Sequence, residues 1–451
     1  MLFAGIYPRP ERALAGISEW TAEMVPSATG YTLGPAGAGN NLDIRDWAIG
    51  NDNNTIYVAP GDSITANVIY KSVDAGNTWV AVPVPVRADL IAVAPDNNNL
   101  IAFANNSTPE LHASLDGGAT WIALNTPQAA AGAPAKGISD ISISTEKSGI
   151  HYIAAAGWES GNTANLWYFT CGSILPSWQE TRNLPGFTSA NETAALAFSP
   201  VFASDTTIVA VTGNATTGAT LQLFDLTSQK WNADALYAGY PLAIVSANVT
   251  HLLSASITLS PGFDGFDENS RDLFIGLTIA GDASAVAASG IYRFRDFGSP
   301  VKTTILSNKQ IHSVAFNGSY LLAGQYDDTT AYRVQTPLLT TWTLKTPALT
   351  KGLSGENRAL VAWLGGDIIG GTCGNESAFS ISKDSLTTFN DTGLIDTEIT
   401  SARDVAMPVN ASKTYFVTDD GTDTSVWYKT TGGWTRVFSI KSATGFIVRV
   451  E

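Results

Sequence analysis

The chain has 451 residues, of which 44% are hydrophobic and only 14% charged, and its formal net charge at pH 7 is −15. So acidic a chain repels nucleic acid and anionic membrane surfaces, and the composition therefore argues against both as partners. No apolar run approaches the ~20 residues of a membrane-spanning helix, so no transmembrane segment is predicted.

The N-terminal residues 1–43 fit no repeat. The segment around Trp20 nevertheless looks like the strand that follows a tryptophan elsewhere, as in Thr78-Trp79-Val80-Ala81. We therefore predict an N-terminal extension whose strand pairs with the last repeat unit and closes a ring.

From residue 43 onward one order of segments returns eight times. An apolar segment, a turn rich in Pro, Asn, Asp and Gly, and two further apolar segments lead to a fourth that begins near an aromatic residue, which is the signature of short strands. The first strands of the units are predicted at 46–49, 90–93, 141–143, 195–198, 257–259, 314–316, 360–363 and 405–407.

Radial repetition of such units predicts an all-β fold, a single β-propeller of about eight four-stranded blades over residues 44–440. Seven blades is the alternative. Residues 441–451 form a further strand-like tail.

Two segments of the first two units share the pattern S-x-D-x-G-x-T-W, and a degenerate copy occurs in the seventh unit. Serine and aspartate side chains bond turn amides, glycine adopts the left-handed conformation, and tryptophan packs into the core. We therefore predict structural turns here. The residues are Ser72, Asp74, Gly76, Thr78 and Trp79; Ser114, Asp116, Gly118, Thr120 and Trp121; and Ser382, Asp384 and Phe389.

These segments resemble the Asp-box (BNR) repeat of sialidases, sortilin-type receptors and photosystem assembly propellers. The resemblance implies that the boxes join third to fourth strands on the face away from the channel mouth. It follows that Asp74, Asp116 and Asp384 are expected to stabilise turns rather than to bind a ligand.

The starts of the first strands are the positions expected to rim the central channel. Aligning these strands places Arg45, Asp89, Ser139, Ala194, His312 and Arg403 at equivalent positions, with Arg358 one residue away. In a closed ring of eight units, His312, Arg358, Arg403 and Arg45 would form one arc, with Asp46 and Asp404 beside two of the arginines.

Two interpretations of this arc stay open. Arginines from adjacent blades bind a carboxylate by bidentate hydrogen bonds, an arrangement that sialidases use. Alternatively, each arginine pairs with a neighbouring aspartate and seals the channel. As a ligand site the arc comprises Arg45, Asp46, His312, Arg358, Arg403 and Asp404.

Neither a convincing catalytic set nor a strong metal site is found in the sequence. Glycosidases need two placed carboxylates or a tyrosine assisted by glutamate, and no such pair is evident. No Cys/His spacing indicates a metal. A weak calcium candidate is the acidic loop with Asp264, Asp267 and Asp272, which lacks calcium-hand spacing. We therefore expect no enzymatic activity and no cofactor.

Three functions are compatible with these observations. The first is a non-enzymatic extracellular or cell-surface module, such as a surface-layer or filament subunit or an adhesion scaffold, acting through a protein partner or self-assembly. Several N-x-[ST] sequons weakly support export and glycosylation. The second is a glycan-binding or glycan-hydrolysing propeller that uses the arginine rim. The third is an assembly factor that binds a partner protein at the rim of the channel.

Overall fold

A computed structural model gives the architecture of the chain. It describes residues 44–60, 67–76, 79–129, 132–172, 177–232, 235–246, 249–328, 330–335, 337, 343–345, 358–373, 378–386, 390–395, 401–406, 414–419, 423–430 and 433–441. The predicted closing strand in residues 1–43 and all of the C-terminal tail beyond Lys441 lie outside the described residues, as do Thr78 and Phe389.

Eight antiparallel four-stranded sheets follow one another along the chain. The first contains β1 (Asp46–Ile49), β2 (Ile56–Ala59), β3 (Val68–Ser72) and β4 (Val80–Pro83). The second contains β5 (Leu90–Ala94), β6 (Asn97–Asn105), β7 (Glu110–Ser114) and β8 (Ile122–Asn125). The third contains β9 (Ala135–Ile143), β10 (Tyr152–Glu159), β11 (Thr163–Thr170) and β12 (Trp178–Glu180). The fourth contains β13 (Glu192–Phe198), β14 (Thr207–Asn214), β15 (Gly218–Asp225) and β16 (Lys230–Trp231), and β17 (Leu242–Val245) also pairs with β15.

The remaining sheets repeat this order. The fifth contains β18 (Val249–Leu259), β19 (Asp272–Gly281), β20 (Gly290–Arg295) and β21 (Val301–Ser307). The sixth contains β22 (Ile311–Phe316), β23 (Tyr320–Gln325), β24 (Ala331–Gln335) and β25 (Thr343–Lys345). The seventh contains β26 (Arg358–Leu364), β27 (Asp367–Cys373), β28 (Ala378–Ser382) and β29 (Asn390–Ile395). The eighth contains β30 (Ser401–Ala406), β31 (Thr414–Asp419), β32 (Asp423–Thr430) and β33 (Gly433–Lys441).

Helices are short and lie in loops. Among the described residues they are α1 (Phe202–Asp205), α2 (Ala283–Ala287) and the 3₁₀ turns Ala235–Tyr237 and Glu268–Ser270. Within the described ranges, none of the helices has the length and apolarity to cross a membrane. The all-β propeller fold and the eight four-stranded units predicted from the sequence are confirmed.

The hydrophobic core is divided among the interfaces between neighbouring sheets. One apolar cluster joins the first and second sheets, around Tyr57 and Phe103, and corresponding clusters join each later pair up to the sixth and seventh. A further cluster joins the seventh sheet to the first, where the Phe379 ring lies 5.1 Å from Trp79. Consecutive packing of this kind forms a closed ring of seven sheets, the arrangement of the seven-blade alternative.

The eighth sheet lies beside the ring. Its outer strand β33 is next to β29, the outer strand of the seventh sheet. Because the seventh sheet packs directly against the first, the first strand of the eighth sheet does not enter the ring. The eight repeats in the sequence therefore form seven sheets around a centre and one at the periphery.

Candidate functional site

The central channel is a cavity of about 980 Å³ lined by the first strands of the seven ring sheets. Propeller side chains on these strands point sideways towards the neighbouring sheets, so the polar groups at the channel lie at the interfaces between sheets. The charged and polar side chains that line it include Arg45, Asp46, Asp89, Asp140, Glu192, His312, Tyr326 and Arg358.

The equivalent positions found by aligning the first strands are β-bulges in four of the sheets. The ladder between first and second strands skips one residue at Ser139, Ala194, His312 and Arg403. The fifth sheet has the same bulge at Leu253, which the sequence alignment did not assign. A bulge turns its extra residue away from the ladder, and bulges are common where a strand presents a side chain to a site.

Arg45 and Asp89, the aligned residues of the first two sheets, form an ion pair across their interface. Arg45 Nη1 donates to Asp89 Oδ1 at 3.2 Å, and Arg87 Nη2 lies 2.6 Å from the same oxygen. The other carboxylate oxygen of Asp89 accepts from the amide of Asn106 at 2.7 Å. Asp89 is fully buried. On this side of the channel, the interpretation of the arginine rim as a structural seal fits the contacts.

The adjoining side of the channel combines His312, Tyr326 and Arg358 from the sixth and seventh sheets. The Arg358 guanidinium lies 5.1 Å from the centre of the Tyr326 ring, and its Nη2 is 3.5 Å from the tyrosine hydroxyl. The Nδ1 atom of His312 is 3.0 Å from Ser254 Oγ. Burial, together with the charge of Arg358, lowers the pKa of His312 to about 3. The histidine is therefore neutral at physiological pH, and the cation of this corner is Arg358.

Three channel carboxyl groups bond the next sheet. Asp46 Oδ2 accepts from the Ile91 amide at 2.8 Å, Asp140 Oδ2 from the Leu196 amide at 2.8 Å, and Glu192 Oε1 from the Leu252 amide at 2.5 Å. Ser256 and Ser313 accept from the next sheets in the same way. These contacts hold neighbouring first strands in register around the channel.

Their surroundings make these carboxyl groups weak acids. Burial in the channel wall raises the pKa of Asp46 to about 7, although its backbone hydrogen bonds oppose the change. Burial, assisted by the charge of Asp46, raises the pKa of Asp140 to about 8. Burial also raises the pKa of Glu192. Near neutral pH, Asp140 and a share of Asp46 therefore carry a proton.

The placement of Arg403 and Asp404 in one arc with Arg45 is wrong. Both belong to β30 of the eighth sheet, which the direct packing of the seventh sheet on the first leaves outside the ring. The Arg403 side chain is 58% exposed and lies 3.5 Å from Asp419. Asp404 repeats the local bond of Asp46, accepting from the amide that follows it.

The predicted boxes form turns at the opposite end of the sheets from the bulges. Ser72 donates to Asp74 at 2.8 Å and accepts from the Gly76 amide at 2.9 Å. Ser114 makes the corresponding bonds to Asp116 and Gly118, and Ser382 makes them to Asp384 and the Leu386 amide. Thr120 adds two bonds to Asp116. All three turns connect a third strand to a fourth.

The acidic loop of the fifth sheet does not gather its carboxylates around one point. Asp264 accepts from the Phe266 amide, Asp267 caps the turn at Asn269, and Asp272 lies 3.4 Å from both Arg293 and Arg295. Within the described residues, no group of three or more histidine, cysteine or acidic side chains could hold a metal ion. Two arginines satisfy Asp272, so the weak calcium candidate gains no support.

Four residues of the channel wall could not be predicted from the sequence. Asp140 and Glu192 follow no arginine, and Tyr326 and Ser254 contact Arg358 and His312 of the neighbouring sheets. Asp140 was detectable in one respect, because it follows the aligned Ser139 as Asp46 follows Arg45.

Comparison with known proteins identifies the fold family. A model of the DUF6242 beta propeller domain matches residues 24–254, about half of the chain. None of the curated proteins compared with the chain matches it. Among solved structures, one described as "YCF48 bound to D1 peptide" is 10% identical and covers 88% of this chain and 93% of that chain, with a TM-score of 0.42.

Two further structures give similar values. The "Dos1 propeller" is 11% identical over 91% of this chain and 95% of that chain, with a TM-score of 0.47. The Cps50 (Swd1) β-propeller domain of Myceliophteria thermophila is 12% identical over 76% of this chain and 95% of that chain, with a TM-score of 0.46. None of these likenesses bears on what the present chain binds.

Proposed function

The chain belongs to the DUF6242 β-propeller family, and from this premise we propose that it is a non-enzymatic interaction module of the cell surface. The central channel holds a segment of a partner protein or of a neighbouring copy. An acidic side chain of that segment is bound by Arg358 beside the Tyr326 hydroxyl. The low content of charged residues and the acidic balance support an extracellular location.

One observation carries the proposal. The channel has a volume of about 980 Å³, within the range of ligand sites, while the carboxyl groups in its wall are bonded to the neighbouring sheets. Side chains that hold the wall in place are poorly available for proton transfer to a substrate. A rigid cavity with structural carboxyl groups favours binding over catalysis.

Three turns with one hydrogen-bond pattern also support the resemblance to Asp-box propellers. The turns lie at the end of the sheets remote from the bulges, so a binding role is assigned to the channel and a structural role to the boxes.

We would test channel binding with two matched tryptophan substitutions. Leu253 is a bulge residue in the channel lining and is 42% exposed, so Leu253→Trp narrows the cavity. Leu115 lies in a box turn and is 60% exposed, so Leu115→Trp is the control. On arrays of short acidic peptides, we expect Leu253→Trp to lose binding that the wild type and the control retain. Binding that survives in Leu253→Trp would contradict the channel as the site.

A glycan-hydrolysing function is the second candidate, because three channel carboxyl groups, those of Asp46, Asp140 and Glu192, have raised pKa values. Glycosidases pair such an acid with a second carboxylate. We would incubate the protein with fluorogenic glycosides, including a sialoside, from pH 4 to pH 8. Turnover that Asp140→Asn abolishes would favour the hydrolase and reject the non-enzymatic proposal. We expect no turnover above that of a heat-denatured sample.

A further inference from the structure

A second surface of the molecule has the character of a docking site. It is built from three loops: residues 235–240 between β16 and β17, residues 260–271 between β18 and β19, and residues 296–300 between β20 and β21. The loop that joins β18 to β19 lies at the end of β18 opposite its bulge at Leu253. This surface is therefore separate from the bulged end of the channel.

One buried arginine holds the three loops together. Arg271 is 2% exposed, and its Nε donates to the Gly265 carbonyl at 2.9 Å. Its Nη1 donates to Asp296 at 2.8 Å, and its Nη2 donates to the Leu236 carbonyl. The guanidinium also lies 5.6 Å from the centre of the Tyr237 ring. The loops are consequently fixed relative to one another before any partner arrives.

Each group that Arg271 bonds is at or next to a large exposed apolar side chain. Leu236 is 44% exposed, Phe266 next to Gly265 is 37% exposed, and Phe297 next to Asp296 is 55% exposed. A Cβ atom at Gly298 would lie 3.2 Å from Glu268 Oε1, so the second and third loops are in contact. We refer to Leu236, Phe266 and Phe297 with Asp264, Asp267 and Glu268 as the loop surface.

The charge that the loop surface presents is negative. Asp267 and Glu268 are exposed, Asp264 is half-buried, and hydrogen bonds from Ser270 and Asn269 hold the pKa of Asp267 below its ordinary value. The nearby cations are engaged: Arg271 bonds Asp296, while Arg295 lies 3.4 Å from Asp272 and covers the Phe297 ring at 4.2 Å. Lys302 donates to the Ile244 carbonyl at 2.6 Å.

From this combination we propose that the loop surface docks a segment of a partner protein that carries lysine or arginine beside aromatic or aliphatic side chains. Exposed apolar groups framed by charge mark interaction sites, and opposite charge on the partner directs its approach. Aromatic anchors on a rigid support lose little entropy on binding. This proposal does not depend on binding in the channel. An experiment can therefore contradict one of the two binding proposals and leave the other standing.

The test is a selection of short random display peptides on the wild-type protein. Selected peptides are then measured against Phe266→Ser/Phe297→Ser and Asp264→Asn/Glu268→Gln. Val73→Ser/Val80→Ser is the matched control, because these residues are 64% and 66% exposed on the first sheet. We expect basic, aromatic-containing peptides whose affinity falls about tenfold or more in the first variant. In the charge variant, we expect weaker binding with less salt dependence.

Hydrogen exchange of the wild type with a selected peptide should show protection in the three loops. Acidic or uncharged consensus peptides, equal affinity for the Phe266→Ser/Phe297→Ser variant, or protection confined to the channel strands would overturn the proposal. The substituted side chains are exposed, so thermal melting of each variant should match that of the wild type within a few degrees.

Discussion

Asp140 shows how one residue couples the channel to stability. Its carboxyl group accepts the Leu196 amide across an interface between sheets, while the channel wall raises its pKa to about 8. A folded-state pKa above the ordinary value of 3.8 means that folding takes up a proton between these values. The contribution of this group is therefore fully present below about pH 4 and is lost as the pH rises through about 8.

We predict that Asp140→Asn changes the pH dependence of unfolding. Relative to the wild type, the variant should gain stability as the pH rises from 5 to 9, since asparagine accepts the Leu196 amide without carrying a charge. Asp140 is half-buried, and solvent screening reduces the effect of a charge at such a position, so we expect a relative gain on the order of 1–3 kcal/mol. Urea unfolding across this pH range measures it.

Asp116→Asn is the control for this experiment. Hydrogen bonds from Thr120 and Ser114 lower the pKa of Asp116 to about 2, so this carboxylate stays charged throughout the range. Its difference from the wild type should not change between pH 5 and pH 9. If the difference in unfolding free energy between Asp140→Asn and the wild type also stays constant from pH 5 to pH 9, then the pKa of Asp140 is not raised in the folded protein and the prediction is wrong.

At the scale of the element, the box turns differ in what their tryptophans contact. Trp79 is 4% exposed, donates to the Gly76 carbonyl at 2.9 Å and packs against Phe379 of the seventh sheet. Trp121 is half-buried, donates to the Pro83 carbonyl of the first sheet at 3.0 Å and packs against Phe103. The same motif therefore joins the seventh sheet to the first at one box and the first to the second at the other.

We predict that Trp79→Ala costs about 3–5 kcal/mol, the usual range for a buried large aromatic residue, and that Trp121→Ala costs less. The reason is burial: removing Trp79 opens a cavity at the interface that closes the ring, while part of the Trp121 ring already faces water. Equilibrium urea unfolding of both variants gives the comparison. Equal losses, or a larger loss for Trp121→Ala, would contradict it.

The elements that could be predicted are those whose causes are local in sequence. Ser72 and Asp74 form their turn with residues two to four positions away, so the spacing alone indicated it. Aligning the first strands marked Ser139 and His312 as equivalent rim positions because each lies at a fixed distance from an apolar run, but it did not predict that both positions are β-bulges. The bonds of Asp140 and Glu192 run to the next sheet, and no local pattern encodes them.

At the scale of the whole molecule, the position of Arg403 depends on which sheet packs next to the first sheet. Because the seventh sheet does so, Arg403 of the eighth sheet lies outside the channel. A contact in the same direction recurs between turns of adjacent sheets: the Asn51 amide donates to Asn98 of the second sheet at 2.9 Å. At the closing interface the Gly365 amide of the seventh sheet donates to Asn53 of the first at 3.0 Å. The repeat in the sequence predicts eight units. The long-range contacts between turns are needed to show which seven sheets surround the channel.

Closure between the seventh and first sheets can be tested with an engineered disulfide. A Cβ atom at Gly365 would lie 3.9 Å from the Asn53 Cβ, within the range of native disulfides. Both positions have positive φ, 61° and 55°, in the left-handed region that a cysteine enters at a modest cost. With Cys171 and Cys373 replaced by serine, Asn53→Cys/Gly365→Cys should oxidise spontaneously and migrate faster on non-reducing gels.

The crosslink should also stabilise the fold, by about 2–5 kcal/mol, because it closes a loop spanning most of the chain in the unfolded state. The matched control is Asn53→Cys/Gly318→Cys, since Gly318 lies in the corresponding turn of the sixth sheet, also at positive φ, and is not adjacent to the first sheet. We expect the control to stay reduced. If it oxidises as readily as the Gly365 pair, or if the Gly365 pair stays reduced in the folded protein, another sheet separates the seventh from the first and the ring has eight members around its channel.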